Sequence, residues 1–312
     1  MQPEIQQPEI QQPEIQLQII QLKGSSRDYQ ALAIDTRPLR RLMSPDALLT
    51  WKLPPQLDLS RGVVLYGNAP NWFYNHALLQ LQEAPWVGFY DLRSKSVVVV
   101  RSRQKGIAPG DTLPIFPNRE PGVAVLVGGP PNSGKSVLSN ALRVAVTRSR
   151  PDLQVYLHRA NWDGEGNYIY ESQNRQVVKH LKQKNKYKIP DLPNADEVLD
   201  LYFQERARDT ENIRQVIDLT LVDVGGVPDP VKLPVVRSCS HALIISSDPQ
   251  AVRSWQELCR DLQPLAVVHS VREDRCDLLQ TSPYLELVAG PWERDRPASV
   301  PQPLLDRLLK LM

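Results

Sequence analysis

The nine residues GGPPNSGKS, Gly128 to Ser136, restrict what this chain can fold into more than any other stretch. Gly129 to Ser136 fits G-x-x-x-x-G-K-[ST] in full. The apolar run Val123–Val127 ahead of it predicts a buried strand, and Ser136–Thr147 behind it predicts a helix, which is the context the pattern requires. Gly129 and Gly134 allow a tight turn that aims backbone N–H groups inward, with Pro130, Pro131, Asn132 and Ser133 between them. The N-terminus of the following helix adds a partial positive charge, so the loop is a seat for phosphate oxygens. Lys135 is placed to reach the β- and γ-phosphates, and Ser136 to hold Mg2+ through its hydroxyl. The expected ligands are ATP and Mg2+.

Such a loop calls for an acidic residue at the end of a later apolar strand. Leu219–Val222 running into Asp223 supplies it, and Asp223 is expected to hold Mg2+ through water. Val224-Gly225-Gly226 follows, with glycines suited to a loop that responds to the γ-phosphate. Asp163 and Glu165 come just after a strand expected over Leu153–His158. Hydrolases and phosphotransferases of this architecture often place a carboxylate there, and a polar surface loop is the competing reading. The run KHLKQKNKYK, Lys179 to Lys188, reads as a solvated helix face or as a lid over phosphates. Helices are expected over Glu171–Lys184, Ala195–Ile217, Pro249–Leu262 and Leu304–Leu311. Further strands are expected over Ala242–Ser246, Leu265–His269 and Leu285–Ala289, the last at an edge. Ser246, Ser247 and Asp248 end one strand and could line the same crevice. Strands alternating with helices imply a mainly parallel sheet covered on both faces.

More than a hundred residues precede this region. Residues 1–16 hold the repeat QPEIQ, whose regular prolines deny helix and sheet and predict a disordered tail. Residues 17–116 read as a small α/β domain. Its strands lie over Leu17–Leu22, Tyr29–Asp35, Gly62–Tyr66, Trp86–Tyr90 and Val97–Arg101, and its helices over Ser44–Leu49 and Asn71–Leu81. Residues 117–122 form a linker, and 123–312 the phosphate-loop domain. At Gly67, Asn68, Pro70 and Trp72 a strand again runs through a tight turn into a helix, a seat for phosphodiester or ribose groups.

Lys plus Arg number 37 against 35 Asp plus Glu, a net charge of +2, which argues against a general nucleic-acid coat while allowing a local basic pocket. The three cysteines have no metal spacing and suit a reducing cytoplasm. No apolar run approaches the roughly 20 residues needed to cross a bilayer. A cytoplasmic protein without a membrane partner is expected.

The front region resembles the CRISPR-associated ring nucleases of the Csx-three family, small domains related to the CRISPR-associated Rossmann (CARF) fold. The resembling residues are Gly62-Val63-Val64, Gly67, Pro70, Trp72, Pro85, Phe89-Tyr90-Asp91, Val97–Val100 and Gly110-Asp111, in order and at matching spacing. They cover most of residues 17–116, and the arrangement matches a fusion in that family of a ring-nuclease domain to a P-loop, AAA-like ATPase domain. The resemblance implies that the front domain binds and linearises cyclic tetra-adenylate, an RNA second messenger of type III CRISPR defence. It also implies a homo-oligomer, a dimer or tetramer, with the messenger sandwiched between subunits. Cutting such a ring needs no metal in principle, because the neighbouring 2′-hydroxyl attacks the phosphorus. Asp91 matches the family's functional aspartate, and an aspartate there also caps turns. The position of the family histidine is Gln82 here, and that of its arginine is Asn68. His76 lies six residues from Gln82 on the same expected helix, on a different face. Glutamine is not a general acid or base, so a non-cleaving sensor that gates the ATPase is the alternative. A nucleotide or oligonucleotide kinase is the third.

Overall fold

The computed structural model describes residues 15–25, 27–35, 45–67, 69–116, 119–161, 176, 192–293 and 298–312. They fall into two units, Met1–Asn118 and Arg119–Met312.

In the front unit, apolar residues alternate along β1 (Gln16–Lys23) and β2 (Asp28–Asp35), which pair as an antiparallel hairpin. Strand β2 then pairs in parallel with β3 (Val63–Gly67), and β3 with β4 (Trp86–Asp91). The β3–β4 crossover contains helix α2 (Asn71–Gln80), and a single helical turn, α1 (Ala47–Thr50), lies between β2 and β3. Strands β5 (Ser96–Ser102) and β6 (Thr112–Pro114) complete the order β1-β2-β3-β4-β5-β6 by antiparallel pairing. One sheet face packs Leu32, Ile34, Val63, Leu65 and Val87 against Phe73, Ala77 and Leu81. Phe73 is fully buried, and its truncation to alanine is expected to cost about 3–5 kcal/mol.

On the opposite face Ala31, Val64, Gly88 and Val99 line up across neighbouring strands, and Ala31, Val64 and Val99 are buried as well. The two sheet edges meet. Gly24, just after β1, bridges Ile115, just after β6, and Phe116 N donates to Lys23 O at 2.8 Å. This closure turns the second face inward, where Tyr29 and Trp86 sit edge to face at 5.7 Å. The short β6 gave no periodic signal, because three residues flanked by turns cannot show one.

The rear unit places β7 (Val123–Gly128) inside a seven-stranded sheet of order β12-β13-β11-β10-β7-β9-β8. Its other strands are β8 (Val155–Arg159), β9 (Leu219–Asp223), β10 (His241–Ser246), β11 (Gln263–Ser270), β12 (Arg275–Gln280) and β13 (Leu285–Gly290). All neighbours pair in parallel except β12 with β13. The described helices are α3 (Lys135–Ser149), α4 (Ala195–Arg214), α5 (Leu233–Arg237), α6 (Pro249–Leu258) and α7 (Gln302–Leu309). Along β7, Val125 and Val127 join the core on one face, and Ala124 and Leu126 the core on the other. That is why VAVLV is apolar throughout rather than alternating.

This is the mainly parallel P-loop architecture expected from the sequence. One strand position differs: Leu285–Ala289 was expected at an edge, but β13 lies one place in, and β12 forms the edge. Strand β12 carries Arg275, Asp277 and exposed Leu278 and Leu279, a mixture typical of an edge strand with little burial and unlike the apolar runs inside the sheet. Helix α6 stops at Leu258, short of Leu262, and α5 was not foreseen within a proline-rich stretch. The expected helix over Glu171–Lys184 lies outside the described residues. Among the described residues no helix is long and apolar enough to cross a membrane.

Candidate functional site

Strand β7 leads through α3 to β8 on one side of the sheet, while β10 lies on its other side. Open α/β sheets place their ligand crevice at such a reversal, at the carboxyl ends of the strands. The loop Gly129–Ser136 occupies that end. Gly134 is the N-cap of α3 with φ +94°, in the left-handed region, and a Cβ on it would also run into Trp292. Glycine is therefore required twice over. Helix α3 has no side-chain cap at its N-terminus, which leaves its first amides open to an anion.

Three further observations fit a phosphate ligand. Among the described residues Ser133 Oγ is buried without a hydrogen-bond partner. Lys135 is only 8% exposed, and its Nζ donates to Pro130 O at 3.1 Å, spanning the loop. A buried ammonium beside the positive end of a helix is unfavourable alone, and an anion between them offsets that. Ser136 Oγ donates to Asp223 Oδ2 at 2.8 Å, joining the two residues expected at Mg2+. Asp223 is 5% exposed, and its Oδ1 accepts from Gly225 N at 3.1 Å. Register sets Asp223 beside Val127 of β7 and Arg159 of β8. A hydroxyl on the first turn of α3 and a carboxylate at the end of β9 can share one hard cation. Gly226 packs on Pro131: a Cβ built there would stand 2.8 Å from the proline ring.

Asp163, Glu165 and Lys179–Lys188 lie outside the described residues. Ser246 Oγ accepts from Asp248 N at 2.9 Å, and Asp248 Oδ1 accepts from Gln250 N at 2.9 Å as the cap of α6. Both are occupied by local structure. Sequence reasoning missed two residues. Lys232 is buried, donates to Val227 O at 2.5 Å and lies 5.6 Å from the Trp255 ring, which itself abuts Gly128. A lysine in a loop ordinarily reads as solvated, so no signal marked it. Asn161, just past β8, rests against Gly225. It lies two residues before Asp163, in the loop already singled out.

In the front unit Gly67 ends β3, and Pro70 is the N-cap of α2 with no side-chain cap. Asn68 lies outside the described residues. Trp72 is half-buried, packs on the hydrophobic core and meets Phe73 edge to face at 6.2 Å. His76 faces Trp51 at 5.7 Å. Asp91 ends β4 and closes the β4–β5 turn, its two carboxylate oxygens accepting from Arg93 N at 3.3 Å and Ser94 N at 3.2 Å. Gln82 lies beyond the other end of β4, where its carbonyl accepts from Arg101 at 3.1 Å and from Arg103. Arg101 also donates to Leu81 O at 2.6 Å and to Ala84 O at 3.1 Å. Burial and the neighbouring Arg103 hold the Arg101 pKa below its usual value. At about 3.3 Å per residue, β4 alone sets Asp91 about 17 Å from the end that Gln82 adjoins. Tyr66 and Tyr90 stack edge to face at 5.5 Å, and burial pushes the Tyr90 hydroxyl pKa up.

Residues 36–114 match the family model described as CRISPR-associated protein (Cas_csx3). No curated protein matches the chain significantly. Among solved structures, the ParA family ATPase from Chlorobium tepidum TLS is similar at 13% identity and TM-score 0.34, over 48% of this chain and 74% of that one. A putative plasmid partition protein from Borrelia burgdorferi B31, bound to AMPPNP, is similar at 12% and 0.39, over 62% of this chain and 100% of that one. The septum site-determining protein MinD from Pyrococcus horikoshii OT3, complexed with Mg-ADP, is similar at 11% and 0.35, over 48% and 70%.

Proposed function

We propose that this chain, in which a Cas_csx3-matching unit precedes a P-loop unit, is a CRISPR accessory protein with two nucleotide sites. The rear unit binds ATP with Mg2+ and hydrolyses it. The observation that carries this reading is the Ser136–Asp223 hydrogen bond of 2.8 Å beside the buried Lys135. Gly129, Pro130, Pro131, Asn132, Ser133 and Gly134 would surround the phosphates, with Lys135 on the terminal ones. Ser136 and Asp223 would hold Mg2+, which supplies charge neutralisation of the phosphates when bound. A nucleotide-binding assay with the full chain and Lys135→Ala tests it. Equal affinity in both overturns it.

The front unit binds cyclic tetra-adenylate in the cytoplasm and linearises it between two copies of the chain. In this reaction the 2′-oxygen bonds to phosphorus and the bond to the 5′-oxygen breaks. A 2′,3′-cyclic phosphate and a 5′-hydroxyl result. Asp91 orients one side of that phosphodiester, and Gly67, Asn68, Pro70 and Trp72 contact the ring. The separation of Asp91 from Gln82 along β4 supports the between-copies arrangement, since one subunit cannot bring both ends to one phosphate. Incubation with the messenger, with and without Mg-ATP, followed by chromatography of the products, checks this. Linear product that Asp91→Ala abolishes supports it. An intact ring throughout removes the nuclease.

Gln82 favours a second reading, a non-cleaving sensor whose bound messenger gates the ATPase. It expects binding without linear product, and ATP turnover that changes when messenger is added.

A further inference from the structure

We propose that Asn161 positions the attacking water at the terminal phosphate, which rests on the reading of the rear unit as an ATP hydrolase. The residue is held where three strand ends converge. Its neighbour Ala160 donates through its backbone N to Asp223 O at 2.8 Å, and Arg159 pairs with Asp223 in register. The segment is thus fastened to the strand that carries the candidate metal carboxylate.

The side chain has a defined place. Its Oδ1, Cγ and Nδ2 lie 2.5, 2.6 and 2.9 Å from where a Cβ on Gly225 would stand. The amide therefore lies against the bare Cα of Gly225, which has φ +82° and whose N–H holds Asp223 Oδ1. Any side chain at position 225 would evict it. Asn161 is half-buried, and among the described residues its amide makes no hydrogen bond. Among the described residues one carbonyl oxygen and two N–H donors thus stand uncommitted against the loop that links Asp223 to Gly226, and Gly226 packs on Pro131 of the phosphate loop.

An amide so placed can accept a hydrogen bond from a water and donate one to a phosphate oxygen. It orients the water without taking its proton. The water oxygen bonds to the γ-phosphorus, the bond to the β–γ bridging oxygen breaks, ADP leaves, and the water proton ends on the phosphate released.

The experiment uses the full chain and its Asn161→Ala and Asn161→Asp variants, with Lys135→Ala as the control for loss of binding. Steady-state hydrolysis is measured alongside binding of a non-hydrolysable ATP analogue and of ADP with aluminium fluoride. Asn161→Ala should lower kcat by about 10–100-fold and weaken the aluminium fluoride complex by a similar factor. It should leave KM and analogue affinity within about threefold. Asn161→Asp, near in shape, should keep hydrolysis and gain a rise in rate with pH as its carboxylate ionises, near pH 4 for an ordinary aspartate. An unchanged kcat in Asn161→Ala overturns the inference, as does equal weakening of analogue and fluoride complex, which marks a structural prop for Gly225. Analogue binding without hydrolysis by the unaltered chain overturns both the inference and the hydrolase reading. Absence of analogue binding overturns nucleotide binding itself.

Discussion

Two junctions in this molecule share one plan, a parallel strand that ends in glycine and leads into a helix. At the rear one, Gly134 caps the 15-residue α3, and a lysine, two serines and an aspartate from a distant strand gather around the turn. At the front one, Gly67 precedes the 10-residue α2, whose N-cap is Pro70. A Cβ on Gly67 would meet the backbone of Ile34, so this glycine serves strand packing inside β2–β3. Trp72 is half-buried against the core. What separates the two is the set of groups delivered by other segments, since both have a helix terminus. The rear cluster is completed by Asp223, 87 positions from Ser136 in sequence, and the front junction gathers no comparable set from the described residues.

Substitutions can test that contrast. The largest effect is expected from Lys135→Ala, which should weaken ATP binding by about 10–100-fold, the worth of a charge-assisted hydrogen bond. It should leave messenger binding unchanged in equilibrium titrations at fixed nucleotide-free conditions. Gly134→Ala forces a left-handed residue and displaces Trp292, so about 1–2 kcal/mol of strain adds to the clash. It should lower both the melting temperature and ATP affinity. Gly67→Ala should lower the melting temperature and leave ATP affinity unchanged, and a loss of ATP affinity there would break the comparison. Asp91→Asn retains an acceptor for the β4–β5 turn, so stability should change by less than about 1 kcal/mol. Messenger cleavage, followed by chromatography, should fall sharply if the carboxylate charge is needed.

The smallest effect concerns pH. Burial lowers the pKa of His241, with Arg214 adding to it and Gln263 opposing. A histidine depressed in the fold is protonated more readily when unfolded, so its stabilisation is complete above the ordinary value near 6.5 and is lost as pH falls below it. Thermal melts from pH 7.5 to 5 should show this decline, and His241→Gln should flatten it.

The sequence made the rear site legible because phosphate binding places rigid demands on a short contiguous loop. Asp223 could be found because a fully buried parallel strand is a continuous apolar run, and LTLV ends at a carboxylate. Asn161 was passed over for the more obviously acidic Asp163 and Glu165, since contact with Gly225 is a tertiary fact that spacing does not encode. Lys232 was invisible for the same reason: its burial depends on Phe203 and Trp255, which come from two other helices. In the front unit strand periodicity located β1 to β5, but closure through Gly24 and Ile115 joins residues far apart in the chain and leaves no local trace.

That closure also fixes an order of events on the ribosome. At about 5–20 residues per second, the first sheet gains its last strand only when Pro114 to Phe116 emerge, and its two edges can then meet. Val123, the first residue of β7, follows within seconds, whereas Asp223 emerges much later. A chain halted shortly after Phe116 therefore already contains every described strand of the front unit, while the rear unit has not gained its first.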